Sequence, residues 1–275
     1  MKKKVQIVGI LNTTPDSYVD SGRFVTIKTA IAQAKKFIDE GVRVVEIGGE
    51  STGPTSKNVS LEEELQRTIP IIAAIHDHFP IVQLSIDTYK APVAKAAIEA
   101  GVSMVNDITA GRADKDMFAV IATSGIPYVL MYSKDNTPRT TIENKSYKDV
   151  IGHIIHFFEE RISSAKKAGI RKDQIILDPG LGHFISSYPK YSFEILANLE
   201  KLLVFGCPLF ISPSRKSFLA GIENLPVKDR LPATIAASAI AFINGATYIR
   251  THDVAEVKRG CEVAEMIIKS ATITI

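Results

Sequence analysis

The chain has 275 residues, 45% of them hydrophobic, enough to fill the core of one α/β domain spanning residues 1–275. Its formal charge of +3 is scattered apart from Lys2, Lys3 and Lys4, a solvated terminus, which argues against a nucleic-acid or membrane surface. Cys207 and Cys261 lack CxxC spacing and read as small core residues; with no apolar run of membrane length and no signal-peptide core, a cytoplasmic protein is expected.

Residues 5–11 are apolar nearly throughout and give way to Asn12-Thr13-Thr14-Pro15-Asp16-Ser17, a buried strand entering a polar loop with a turn-setting proline. Residues 27–40 carry Ile27, Ala30, Ile31, Ala34, Phe37 and Ile38 at helical spacing, and Gly41 is placed to end that helix. Residues 42–47 then run into Gly48-Gly49-Glu50-Ser51-Thr52-Gly53-Pro54. Leu61, Leu65, Ile69 and Ile72 mark a second helix, capped by Ser60 and Glu63. The alternation continues with strands at 81–86, 102–105, 127–131 and 175–177, and helices at 92–100, 117–122, 148–168 and 192–203. A seventh strand begins at Leu209 and breaks into Ser212-Pro213-Ser214-Arg215-Lys216-Ser217. There Pro213 stops the ladder and Ser217 opens a helix with free backbone N–H groups. A helix at 231–244, a strand at 247–249 and a closing helix to residue 268 complete the chain.

Eight strand and helix pairs are the count for a single (β/α)8 TIM barrel. A doubly wound open sheet is the alternative, but no strand-turn-helix carries the GxGxxG fingerprint. In such barrels the active site lies at the C-terminal ends of the strands. The residues found there are Asn12, Glu50 with Thr52, Asp87, Asn106, Met131, Asp178, Lys216, and Arg250 with His252. Asp87, Asn106 and Asp178 suit the N–H and amino donors of a flat heterocycle, and Lys216 suits its carbonyl. Arg250, His252 and the loop after Asn12 suit a phosphate group, with or without a divalent metal. Singly, any of these carboxylates or amides is as well explained by a helix cap or Asx-turn; their joint occurrence favours a site. Asp107 and Asp253 read as structural. His76, His78, His153 and His156 lie on helices and read as surface or packing residues.

These residues sit in motifs that resemble the dihydropteroate synthase family. The motifs are Gly9 to Ser17, Gly48-Gly49-Glu50-Ser51-Thr52, Ser85-Ile86-Asp87-Thr88, Val105-Asn106-Asp107-Ile108, Asp178-Pro179-Gly180, Ser214-Arg215-Lys216-Ser217 and Arg250-Thr251-His252-Asp253. The resemblance implies a transferase of folate biosynthesis and a sulfonamide target. It would join 6-hydroxymethyl-7,8-dihydropterin diphosphate to 4-aminobenzoate, with Mg2+, in a homodimer. It also implies that Asp87, Asn106, Asp178 and Lys216 hold the pterin, with Met131 lining the slot. Asn12 would bind Mg2+ and diphosphate, and Arg250 and His252 the diphosphate oxygens. Ser217 would face the aminobenzoate carboxylate, and Thr52 would lie in a mobile loop above it. Asp87, Lys216, Arg250 and His252 form the implied catalytic set.

Three positions depart from the family pattern. Gly53 stands where an arginine is usual, His183-Phe184 replaces part of a Gly-Phe-Gly-Lys run, and Tyr132 replaces a histidine, which would alter the pterin floor. Pterin stacking falls to His183 or Phe184. Two other readings stand beside it: a folate-dependent methyltransferase, which would share Asp87, Asn106 and Asp178 but has no need of Asn12, Arg250, His252 or Ser214-Arg215-Lys216-Ser217, and a pterin-binding barrel without catalysis.

Overall fold

The computed structural model describes residues 5–14 and 26–271; Lys2, Lys3 and Lys4 and the Pro15-Asp16-Ser17 part of the first motif lie outside them. Eight strands form a single parallel sheet: β1 Gln6–Asn12, β2 Val44–Gly48, β3 Gln83–Asp87, β4 Met104–Asp107, β5 Tyr128–Met131, β6 Ile175–Asp178, β7 Phe210–Ile211 and β8 Tyr248–Thr251. A helix follows each: α1 Ile27–Asp39, α2 Leu61–His78, α3 Ala91–Glu99, α4 Met117–Ser124, α5 Val150–Lys167, α6 Pro189–Ala197, α7 Leu231–Ile243 and α8 Val254–Ala271. The strand order is β6-β5-β4-β3-β2-β1-β8-β7, and a parallel bridge between Leu177 and Leu209 joins the two ends into a nearly closed (β/α)8 barrel. At that seam the Leu177 amide donates to the Pro208 carbonyl at 2.9 Å.

Strand side chains alternate between faces, so residues two apart share a face. Val8, Val44, Met104, Val129, Ile176 and Phe210 meet inside the barrel as an apolar plug, with Tyr248 packed against it. Two residues further along their strands come Glu46, Asn106, Met131, Asp178 and Arg250. A polar layer therefore lies directly above an apolar one. The intervening residues, such as Val45, Ile47, Leu84, Ile86 and Leu130, belong to the larger core between sheet and helices.

Thr26 caps α1, and the Ser60 hydroxyl accepts from the Glu63 amide at 3.1 Å at the start of α2. The return half of the second cap is absent, because Glu63 pairs with Arg67 one turn on. The helix expected at 192–203 is interrupted. Asn198 turns its backbone out of α6 while its Nδ2 donates to the Glu194 carbonyl, and Leu199–Phe205 continues as a 3₁₀ helix. Cys207 precedes β7, and both cysteines are buried and free. No helix among the described residues is long and apolar enough to cross a membrane.

Candidate active site

A cavity of about 500 Å³ opens at the C-terminal ends of the strands. Asn12, Asp87, Arg250 and His252 line its inner wall, Thr52 to Thr55 one rim, and Lys216, Ser217 and Arg230 the opposite rim. Asn106, Met131 and Asp178 do not line it; they are buried in the polar layer of the barrel, at 3%, 4% and 2% exposure. All the strand-end residues read from the sequence thus gather at one end, in a floor and a mouth.

The organising group of the floor is Glu46, which sequence reasoning passed over. It is fully buried in mid-strand and accepts from Ser85 Oγ at 3.1 Å and Asn106 Nδ2 at 3.2 Å, and it pairs with Arg250 Nε. Arg250 Nη2 donates to Asp87 at 2.8 Å, so one guanidinium joins two carboxylates. The signal available in the sequence was a single charge inside the apolar run Val44-Val45-Glu46-Ile47. Asn106 Oδ1 is buried with no hydrogen-bond partner among the described residues.

Desolvation sets the electrostatics. Burial pushes Asp87 up to about 7, opposed by Arg250 and reinforced by Glu46. Burial lifts Asp178 to about 6 against the pull of Lys216 and the 2.7 Å hydrogen bond from the Gly180 amide. Burial draws Lys216 down to about 8, with Asp178 opposing. His252 is drawn down to about 4, again by burial and then by Arg250, so it stays neutral near pH 7. Its Nδ1 lies 3.0 Å from Ser214 Oγ and its Nε2 3.4 Å from Asn12 Nδ2. Asn12 faces Gly48 in register across β1 and β2, and a side chain at Gly48 would stand 3.5 Å from its Oδ1.

A model of the pterin-binding enzyme family matches residues 8–252. A dihydropteroate synthase of Clostridium beijerinckii is 41% identical over 97% of this chain and 96% of its own. The chain belongs to the dihydropteroate synthase family. The fold agrees: the Yersinia pestis dihydropteroate synthase, solved with a sulfonamide drug, is 34% identical and superposes with a TM-score of 0.90 over 97% of this chain and 94% of that one. The Xanthomonas albilineans enzyme, solved with 4-aminobenzoic acid, is 32% identical with a TM-score of 0.87, over 98% and 94% of the two chains.

Within this dihydropteroate synthase framework, two expectations change. Tyr132 is no part of a pterin floor. It follows inward-facing Met131 and so faces outward, against His153 and Phe157 on α5, with its hydroxyl 3.1 Å from that of Tyr147. Ser217 opens only a three-residue 3₁₀ turn, Ser217–Leu219, so the helix-terminus argument for an anion does not apply, although Ser217 lines the cavity. Arg230 was not foreseen; it lines the mouth and donates to the Leu225 and Arg215 carbonyls, with no carboxylate partner among the described residues. His183 and Phe184 both line the cavity, and Lys216 Nζ stands 5.1 Å over the Phe184 ring. Asp107 and Asp253 serve structure: the first accepts from Thr109, Gly111 and Tyr128, and the second pairs with Arg215.

Proposed function

We propose that the protein is a dihydropteroate synthase, joining 6-hydroxymethyl-7,8-dihydropterin diphosphate to 4-aminobenzoate, releasing diphosphate and giving 7,8-dihydropteroate. The observation that carries this reading is Asn106 Oδ1, a buried acceptor without a partner among the described residues, in the same inward layer as Asp178. Such an atom costs roughly 1–3 kcal/mol that a ligand N–H would offset. Asn106 and Asp178 suit the N–H and amino edge of a pterin, Lys216 suits its carbonyl, and Met131 and Phe184 suit its faces.

The chemistry is stabilisation of separated charge. As the bond to diphosphate breaks, the exocyclic carbon of the pterin becomes cationic, and Asp87, fixed by Arg250, supports that charge. The arylamine attacks this carbon and sheds its proton once bonded, so no strong base is needed. Arg250 and neutral His252 offer N–H donors to the leaving oxygens. Thr52, Ser217 and Arg230 surround the mouth, where the aminobenzoate carboxylate would meet a guanidinium.

Mg2+ belongs to the proposal together with the diphosphate. Among the described residues no three His, Cys, Asp or Glu groups could hold a metal ion, and Asn12 offers one amide oxygen. Mg2+ commonly takes most of its remaining oxygens from substrate phosphates and water, and there it would neutralise leaving charge.

A homodimer is supported by apolar side chains on adjacent helices α7 and α8: Ile240, Ile243, Val263, Met266 and Ile267 are 43% to 62% exposed. Two buried free thiols support a cytoplasmic location. One barrel domain accounts for the described residues.

The test is diphosphate release by purified protein with the pterin diphosphate and Mg2+, with and without 4-aminobenzoate, and product mass. Aminobenzoate-dependent release with dihydropteroate is expected. Pterin binding without turnover would mean a non-catalytic barrel.

A further inference from the structure

The loop after β2 forms one rim of the cavity through Thr52, Gly53, Pro54 and Thr55. Within the loop the Ser56 amide and hydroxyl close a turn on the Gly53 carbonyl and the Val59 amide donates to Glu50 at 3.3 Å, while among the described residues a Cβ on Gly53 would meet Ser51 Oγ alone, at 3.7 Å. Lys90 Nζ holds the far end of the loop through the Val59 carbonyl at 2.8 Å, and a second tie comes from the loop after β5. Arg139 donates through Nε to Ser56 Oγ at 2.8 Å and through Nη2 to the Lys57 carbonyl at 2.7 Å and Glu50 at 2.6 Å; its Nη1 meets Asn58. Glu50 is a fixed post, because Lys90 and the Tyr89 hydroxyl also donate to it, at 2.7 and 2.9 Å. Next along, the Thr140 amide donates to the Thr52 carbonyl at 3.1 Å and its hydroxyl to the His183 carbonyl at 2.9 Å. One short stretch therefore ties the rims after β2 and β6 together.

We propose that Arg139 is a positioning residue that holds the loop after β2 over the arylamine end of the cavity. Its planar fork suits the task, since one guanidinium reaches a carboxylate, two side chains and a carbonyl at once, which an ammonium does not. Of the pterin-directed groups, Asn106, Met131 and Asp178 lie deeper, in the barrel floor, and Asp87 on the inner wall, so the substrate that depends on Arg139 is the one at the mouth. This rests on the synthase reading above.

The test is initial-rate kinetics on wild type, Arg139→Ala and Arg139→Lys with both substrates varied. Arg139→Ala should raise KM for 4-aminobenzoate at least about tenfold, the scale of one lost charged hydrogen bond, and leave kcat and KM for the pterin diphosphate within about twofold. Arg139→Lys should recover part of the loss. Glu50 keeps Lys90 and Tyr89 in either variant, so no buried charge is stranded; if the alanine variant fails to fold, the lysine variant's intermediate KM decides. An unchanged aminobenzoate KM, or equal losses for both substrates, would overturn the proposal. The loop tie also has a readout apart from turnover. Tryptic cleavage at exposed Lys57 should be faster in Arg139→Ala than in wild type, and equal rates would refute the tie even if the wild type proved inactive.

Discussion

Arg250 on β8 donates a 2.8 Å hydrogen bond to Asp87 on β3, across a barrel in which β1 and β2 stand between those strands. The same guanidinium is anchored from behind by Glu46. Asp87 therefore presents its carboxylate at a fixed place in the cavity wall.

If that carboxylate supports a cationic carbon, Asp87→Asn should lower kcat by about 10²–10³-fold, the cost of losing one preorganised electrostatic group. The pterin Kd, from isothermal calorimetry, should move less than about tenfold. Equal losses in turnover and binding would remove Asp87 from the charge-stabilising role.

Glu46 is expected to matter first for stability. It is fully buried, and Glu46→Ala leaves the Arg250 guanidinium with Asp87 alone and takes the acceptor from the Asn106 amide. Losing these partners costs about 1.5–3 kcal/mol, the scale of a hydrogen bond to a charged group, read as a fall in the urea midpoint. A change below about 1 kcal/mol would mean that water replaces Glu46 without penalty.

The shifted groups predict a bell in kcat/KM for the pterin diphosphate. The acid limb should rise as Asp178 and Asp87 ionise, at about 6 and about 7, and the alkaline limb should fall as Lys216 loses its proton at about 8. Lys216→Arg should carry the alkaline limb upward. His252, at about 4, stays neutral throughout and should shape neither limb. For stability the sign is opposite for the carboxylates. A raised folded-state pKa contributes stability that is complete below the ordinary Asp range and is lost as pH rises through 6 to 7. Relative to Asp178→Asn, the wild type should lose stability from the ordinary Asp value of 3.8 up to about 6 and change little beyond it.

Gly180 cannot carry a side chain without disturbing the floor. Its φ is +69°, and a Cβ there would stand 2.5 Å from the Tyr132 carbonyl oxygen, a backbone atom that cannot swing away. Gly180→Ala should therefore destabilise the protein by at least about 1–2 kcal/mol. It should also weaken pterin binding, since the Gly180 amide donates to Asp178. Unchanged thermal melting would contradict this.

The architecture was legible in the sequence because buried parallel strands announce themselves as unbroken apolar runs, and their abrupt ends mark the site. Asn12, Asp87, Asp178 and Arg250 all stood at such ends. Glu46 was hidden by its place in mid-strand, where only the period-2 count from Val44 turns it inward. Tyr132 failed for the same reason in reverse: its neighbour Met131 faces in, so it faces out. Arg139 was illegible, because it acts 89 residues from Glu50 through a loop with no periodicity. Arg230 likewise follows from where the chain beyond Ser217 returns to the rim.

The barrel is fastened unevenly. β7 is two residues long and meets β6 at one bridge, while Asp178 ends β6 and Lys216 follows β7. If, as proposed, the pterin is gripped by both residues, it laces that gap, and substrate becomes a missing hoop around the staves. On that reading the stability of the fold would be a function of pterin supply, rising by about 2.7 kcal/mol when free ligand reaches a hundred times its Kd.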